Sequence, residues 1–354
     1  MRKSSNRLVE IFLQIVAINA ISGNEKPIAQ YIRTFLEKLD LDVTEDGAGE
    51  LSGGNSGNII CQIGTGGNTA LIAHMDTVRP TDQLVPRILS DRIISSGDTI
   101  LGADNRIGVA LILHTIEKAV TTKNSFAHFT AVFTVCEESS MAGSKFIELP
   151  GTITGAYAID SLLRPGNFVS STYGSKVFKI NVVGKGSHSG LAPEQGINSI
   201  QIAALAINTL QSGRINQDLI VNIATINGGE AVNVVPAKTV IEGEIRARNK
   251  SQANAAFQEI ETKFIAAAEK YSGRVEFEHS WAFLPYTIDS NHPIFQRLVN
   301  AINESELIPI PHLSPGGSDA NTLNEKGIPT INIGIGAQKP HSNEEFVLLE
   351  DIEA

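Results

Sequence analysis

The sequence predicts an α/β protein of two parts: a mixed sheet covered by helices, with a smaller domain of βαββαβ order inserted into it. Three observations lead there. At 354 residues the chain exceeds what one hydrophobic core ordinarily organises. Runs such as ALIAHMDTV and AHFTAVFTVCEES stay apolar almost throughout before turning polar, and helical patterns separate them, as in sheets covered on both faces. The middle of the chain then reads strand, helix, strand, strand, helix, strand, a ferredoxin-like order.

At the N-terminus basic residues precede an apolar stretch, but Glu10 and Gln14 interrupt it. Leu8, Ile11, Phe12, Ile15 and Val16 keep helical spacing, so the segment reads as a buried amphipathic helix rather than a leader. A second helix is expected from Asn24, a residue suited to capping, with Ile28, Ile32, Phe35, Leu36 and Leu39 on one face. Glycines over 47–67 mark turns around a strand at 58–63, and a helix is expected at 107–120. The inserted series comprises a strand at 176–183, a helix at 197–210, strands at 219–226 and 239–247, a helix at 252–271 and a strand at 274–280. A helix at 292–303, a loop at 314–318 and the strand TINIGIG then lead to His341. The expected division is a first segment of the larger domain at 1–174, an inserted domain at 175–285, and a second segment of the larger domain at 286–354.

Composition narrows the partners. The formal net charge is -10 and no run of Lys or Arg offers a phosphate-binding stripe, which argues against nucleic acid. No apolar segment is long enough to span a bilayer, which argues against a membrane partner. The two cysteines, Cys61 and Cys136, form no CxxC and no disulfide framework, as expected of a protein in the reducing cytoplasm.

The chemistry-bearing residues collect where apolar runs turn polar. His74 and Asp76 end one run, the pair Glu137 and Glu138 ends another, and Asp160 ends GAYAIDS. Asp104 precedes the helix at 107–120, and His341 follows far downstream. In sheets of this kind ligands gather at the carboxyl ends of strands. Imidazole and carboxylate suit zinc, an aspartate can give one oxygen to each of two cations, and an acid left off the metals can carry a proton. This is the inventory of a two-metal hydrolase. Of the remaining histidines, His114 falls on a helix expected to pack on the sheet, His128, His279, His292 and His312 have no partner in the sequence pattern, and Cys136 reads as a small buried residue.

The ordered series HMDTV, GADNRIGVA, CEESSMAGSK, AIDS, GKGSHSGLAPEQGINSI, VNVVPAK, GEIRAR, PGGSDANTL and KPHSNEEF resembles the M20 metallopeptidases, most closely the peptidase T-like branch, over nearly the whole chain. That resemblance implies a zinc-exopeptidase-like catalytic domain in which His74, Asp104 and Asp160 hold one metal and Asp104, Glu138 and His341 the other. It further implies that Asp76 orients His74 and that Glu137 is the general base and later the acid. His188, on the lid, would reach the active site of a partner subunit in a homodimer, and Asn233 and Arg246 would contact substrate. Gly316, Gly317 and Ser318 would open a helix whose amides hold an anionic group. The metals implied are two divalent cations, zinc first, with cobalt and manganese suited to similar sites.

The chain departs from the family pattern at Ser139 and Ser140, where a glycine is common, and at Arg106 and Ile107, which replace Lys-Ala. It also stops at Ala354, soon after the start of what resembles the family's final helix, and weaker packing is expected there. The expected activity is that of an aminopeptidase on short peptides such as tripeptides. An N-acyl-amino-acid amidohydrolase would use the same ligands and the same water. A binding protein without turnover would lack a base or a ligand, and none is missing.

Overall fold

The computed structural model describes residues 3–122 and 128–354 and forms two compact units. One comprises Met1–Ser171, Thr287–Leu313 and Ser318–Ala354; the other comprises Thr172–Tyr286 with Ser314–Gly317. Ala127, where the apolar run AHFTAVFTVCEES begins, lies outside the described residues, as do Met1 and Arg2.

The larger unit is organised by an eight-stranded mixed sheet. At its centre the strands Phe129–Thr134, Thr69–His74, Gly155–Ser161 and Thr330–Gly334 run parallel to one another, while Val43–Glu45 and Ile59–Ile63 extend one side by antiparallel pairing. Alternation of side chains sends Ala73, Ala131 and Phe133 to one face and Ala70, Ile72, Val132 and Ala156 to the other. The first face packs on the helices Lys3–Val16, Lys26–Glu37 and Ala103–Thr122; the second packs on Ile147 and on Leu323 of the short helix Asp319–Glu325. Strands apolar on both faces follow directly from this double cover.

The N-terminal helix buries Leu8, Ile11, Phe12, Ile15 and Val16, as its spacing requires. The second helix begins later than expected, at Lys26 with Glu25 before it and no side-chain cap. Asn24 is not its cap: Pro27 fits the first turn, and the Glu25 carboxylate is committed to the backbone amides of Gly23 and Cys136. A four-stranded sheet went unread in the sequence, with the order Ala337–Gln338, Phe346–Leu348, Arg92–Ser95, Pro86–Ile88. Its strands are two to four residues long, too short to show a period.

The smaller unit is a five-stranded antiparallel sheet ordered Gly213–Asn216, Leu219–Gly228, Lys238–Ala247, Gly174–Val183, Arg274–Phe283. The helices Ser199–Asn208 and Lys250–Lys270 cover one face, burying Phe178, Ile180, Ile241, Ile245, Phe257 and Phe264. Four of its strands and both helices make up the βαββαβ order; Gly213–Asn216 adds an edge. Among the described residues no helix is long and apolar enough to cross a membrane.

Candidate dinuclear metal site

Three adjacent parallel strands bring the first ligands together. His74 closes its strand opposite Thr134, and the chain continues from Thr134 through Val135 and Cys136 to Glu137 and Glu138. On the other side Ile72 pairs with Ala158, so that two residues further on His74 and Asp160 project from neighbouring strands on the same side. Asp104 comes from a turn after Gly102, whose φ of +71° is a left-handed conformation suited to glycine. His341 lies in the loop between Ala337–Gln338 and Phe346–Leu348, which pair antiparallel.

The donor atoms form two groups that share Asp104. Nε2 of His74 stands 3.3 Å from Oδ1 of Asp104 and 3.2 Å from Oδ1 of Asp160. Nε2 of His341 stands 3.3 Å from the other oxygen of Asp104, Oδ2, and 3.2 Å from Oε2 of Glu138. Ligands bound at about 2.0–2.2 Å to one tetrahedral zinc lie about 3.3–3.6 Å from each other. The spacing therefore fits a divalent cation in each group, and Asp104 turns one oxygen to each. Glu138 adds a second indication: its Oε1 is buried without a hydrogen-bond partner, a costly state that a cation would relieve.

The same crowding shifts the titrations. Hydrogen bonds to Asp104 and then Glu138 push His341 up to about 10. Burial opposes charge on His74, but Asp160, Asp104 and Asp76 together hold it well above its ordinary value. Burial would raise Asp104, yet His341 and His74 bring it down to about 2. A cation held there would take the place of these imidazole protons, since a ligand nitrogen must be unprotonated.

Asp76 is fully buried beneath the site. Nδ1 of His74 meets the Asp76 carbonyl at 3.1 Å and stands 3.2 Å from Oδ1; Oδ1 also accepts from the amide of Glu137 at 3.1 Å, while Oδ2 accepts from the amide of Glu138 at 3.1 Å and Ser22 Oγ at 2.6 Å. One carboxylate thus orients the imidazole and also fixes the turn carrying the glutamate pair. Glu137 belongs to neither donor group. Burial holds its carboxyl well above the usual range, His74 opposes the shift, and Asp160, Asp319 and Glu138 reinforce it.

Ser22, Asp319 and Glu345 were not singled out in the sequence. Ser22 carries no local signal, being brought in by the loop after the first helix. Asp319 sits within PGGSDANTL and accepts from Thr134 Oγ1 at 2.5 Å, with burial pushing it up to about 6. Glu345 sits within KPHSNEEF and accepts from the amides of Gly102 and Asp104.

His188, Asn233 and Arg246 belong to the smaller unit. His188 and Asn233 share an exposed tip, where Ser189 donates to the Asn233 carbonyl at 3.0 Å. Nδ1 of His188 accepts from the amides of Gly190 and Leu191, both at 3.2 Å, which leaves the proton on Nε2. Arg246 donates Nε to Glu244 at 3.0 Å and Nη1 to the Pro315 carbonyl at 2.8 Å. Gly317 lies under the Phe283 ring, where a Cβ would come within 2.6 Å. Ser318 is already engaged, its hydroxyl accepting from the Ala320 amide and its own amide donating to Asn321 Oδ1. Of the histidines without a sequence partner, His292 caps the helix Pro293–Glu304, His279 packs edge-on against Phe257, and His312 meets Asn167 at 2.8 Å.

Residues 170–272 match the model of the M20 peptidase dimerisation domain. The uncharacterized protein YqjE of Bacillus subtilis is 31% identical over 359 residues, spanning 99% of this chain and 95% of that protein. The chain belongs to the M20 metallopeptidases. Within that family it lies in the peptidase T-like branch, and it is accordingly a hydrolase. The solved aminopeptidase PepT of Bacillus cereus is 29% identical with a TM-score of 0.91, covering 99% of this chain and 95% of its own. A solved tripeptidase from Staphylococcus aureus is 27% identical with a TM-score of 0.93 at the same coverages.

Proposed function

We propose that this M20 enzyme is a dinuclear aminopeptidase that releases the N-terminal residue of short peptides such as tripeptides. The observation that carries the reading is the shared carboxylate of Asp104, with Oδ1 toward His74 and Oδ2 toward His341. Similarity to an aminopeptidase and a tripeptidase over almost the full chain supports the substrate class.

His74, Asp104 and Asp160 would hold one divalent cation, and Asp104, Glu138 and His341 a second; zinc suits the nitrogen and oxygen donors, as do cobalt and manganese. Cations held there supply Lewis acidity for the scissile carbonyl and lower the pKa of water from 15.7 to about 7. Glu137, left off the metals, takes the proton from the attacking water and returns it to the leaving amine. Its raised pKa suits both tasks. His188 from a second copy of the chain donates Nε2–H to the developing oxyanion, and its fixed tautomer makes it a donor. The match to a dimerisation domain supports that homodimer, formed through the inserted lid.

Asn233 and Arg246 contact the substrate, Arg246 through the guanidinium edge that Glu244 and Pro315 leave open. Anion binding by Gly317 and Ser318 finds less support, because the Ser318 amide and hydroxyl are used within the helix cap. Both cysteines are buried and free, which suits the cytoplasm.

The test is cleavage of a tripeptide and of its N-acetylated form by metal-loaded and chelator-stripped enzyme. Metal-dependent release from the free-amine peptide alone is expected. Cleavage of the acetylated peptide alone would instead make the enzyme a deacylase.

A further inference from the structure

The two donor groups are built differently. His74 is 2% exposed and stands at the end of a central strand, whereas the His341 side chain is 49% exposed and stands on a loop. Within that loop Lys339 and His341 both adopt left-handed backbone conformations, with φ of 51° and 61°. Such a conformation is costly for a residue with a Cβ and persists only where its surroundings impose it. Something must therefore hold this loop against Asp104.

Glu345 does so directly. It lies four residues after His341 and is 1% exposed. Its Oε2 accepts from the amide of Gly102 at 2.7 Å, and its Oε1 accepts from the amide of Asp104 itself at 3.1 Å. Each carboxylate oxygen takes one backbone amide on either side of Ala103, so the side chain reads the turn that presents the shared aspartate. Apart from His341 itself, which meets Asp104 and Glu138, the loop's ties to the rest of the unit lie elsewhere: Asn343 bonds Asp98 and Arg79, and the flanking residues pair in the small sheet.

We propose that Glu345 is a positioning residue for the second metal group: its carboxylate ties the His341 loop to the Asp104 turn and so assembles Asp104, Glu138 and His341. This rests on the ligand reading under the proposed function. The group of His74, Asp104 and Asp160 has two of its three ligands on central strands and depends on the tie less. Replacing Glu345 by Gln keeps the size but leaves a single acceptor oxygen, so that an amide NH2 faces a backbone N–H. The second group then loses affinity while the first is kept.

The experiment is a titration of chelator-stripped enzyme with Co2+, following its visible absorption and counting bound metal, with circular dichroism on each apo-protein. Wild type is expected to bind two ions per chain. Glu345→Gln should bind the first as wild type does and the second about 10- to 100-fold more weakly. Glu345→Asp, which keeps a carboxylate, should recover part of that loss. Glu344→Gln, altering the neighbouring surface residue paired with Lys339, should behave as wild type. Two ions bound by Glu345→Gln at wild-type affinity would overturn the proposal. Equal weakening of both ions would do the same, as would apo-proteins of both Glu345 variants that fail to fold. His341→Ala separates the readings: if it too binds two ions normally, the ligand assignment has failed and not the tie alone.

Discussion

The two units differ in what they bury. In the larger unit the central strands are apolar on both faces, and charged side chains at their ends and at the start of the helix Asp319–Glu325 are almost out of reach of water: His74, Asp76 and Asp319 are each no more than 3% exposed. In the inserted unit the strand Lys238–Ala247 alternates exposed and buried positions under one layer of helices, and its core is an apolar cluster of Phe, Ile, Val and Ala. Buried charges need partners or a cation to be tolerable, while a buried apolar cluster stabilises by leaving water. Substitutions at the strand ends of the first unit should therefore damage chemistry, and those in the core of the second should damage stability.

The largest effect is expected at Glu137. Its change to Ala should lower kcat about 100- to 10,000-fold while bound metal and melting temperature stay near wild type; turnover close to normal would remove it as the base. In the inserted unit Phe264 is fully buried, and Phe264→Ala should cost about 3–5 kcal/mol in denaturant unfolding. If kcat fell with stability unchanged, the contrast between the units would break down. Arg246→Gln, read by steady-state kinetics, should raise KM about 10- to 100-fold if, as proposed, the guanidinium contacts the substrate, there through charged hydrogen bonds to a peptide carboxylate. Little change with an amidated peptide would sharpen that assignment. The smallest effect is expected at Asn198, whose side chain accepts from the amides of Ile200 and Gln201 at the start of Ser199–Asn208. Asn198→Ala should cost about 1 kcal/mol of stability and leave metal binding alone.

Much of the fold was legible because its signals are local. The buried face of Lys3–Val16 follows from the spacing of five apolar residues, and the strands leading to His74 and Glu137 announce themselves as apolar runs that turn polar. The start of the second helix was misplaced because Asn24 is a good cap in isolation, whereas Glu25 is bound 111 residues away by the Cys136 amide. The sheet joining Arg92–Ser95 to Phe346–Leu348 was missed for the same reason: only pairing across the chain makes strands of three or four residues recognisable.

The sequence by itself determined which residue types were available for catalysis, the order in which they occur, and the elements that end at them, since periodicity and turn chemistry act over a few residues. The tertiary structure decided how those residues meet. Only the pairing of distant strands sets His74 beside Asp160, turns the two oxygens of Asp104 toward different histidines, and places Glu345 under the Asp104 turn. These contacts span up to 241 residues of chain, and they depend on register and packing rather than on any local preference.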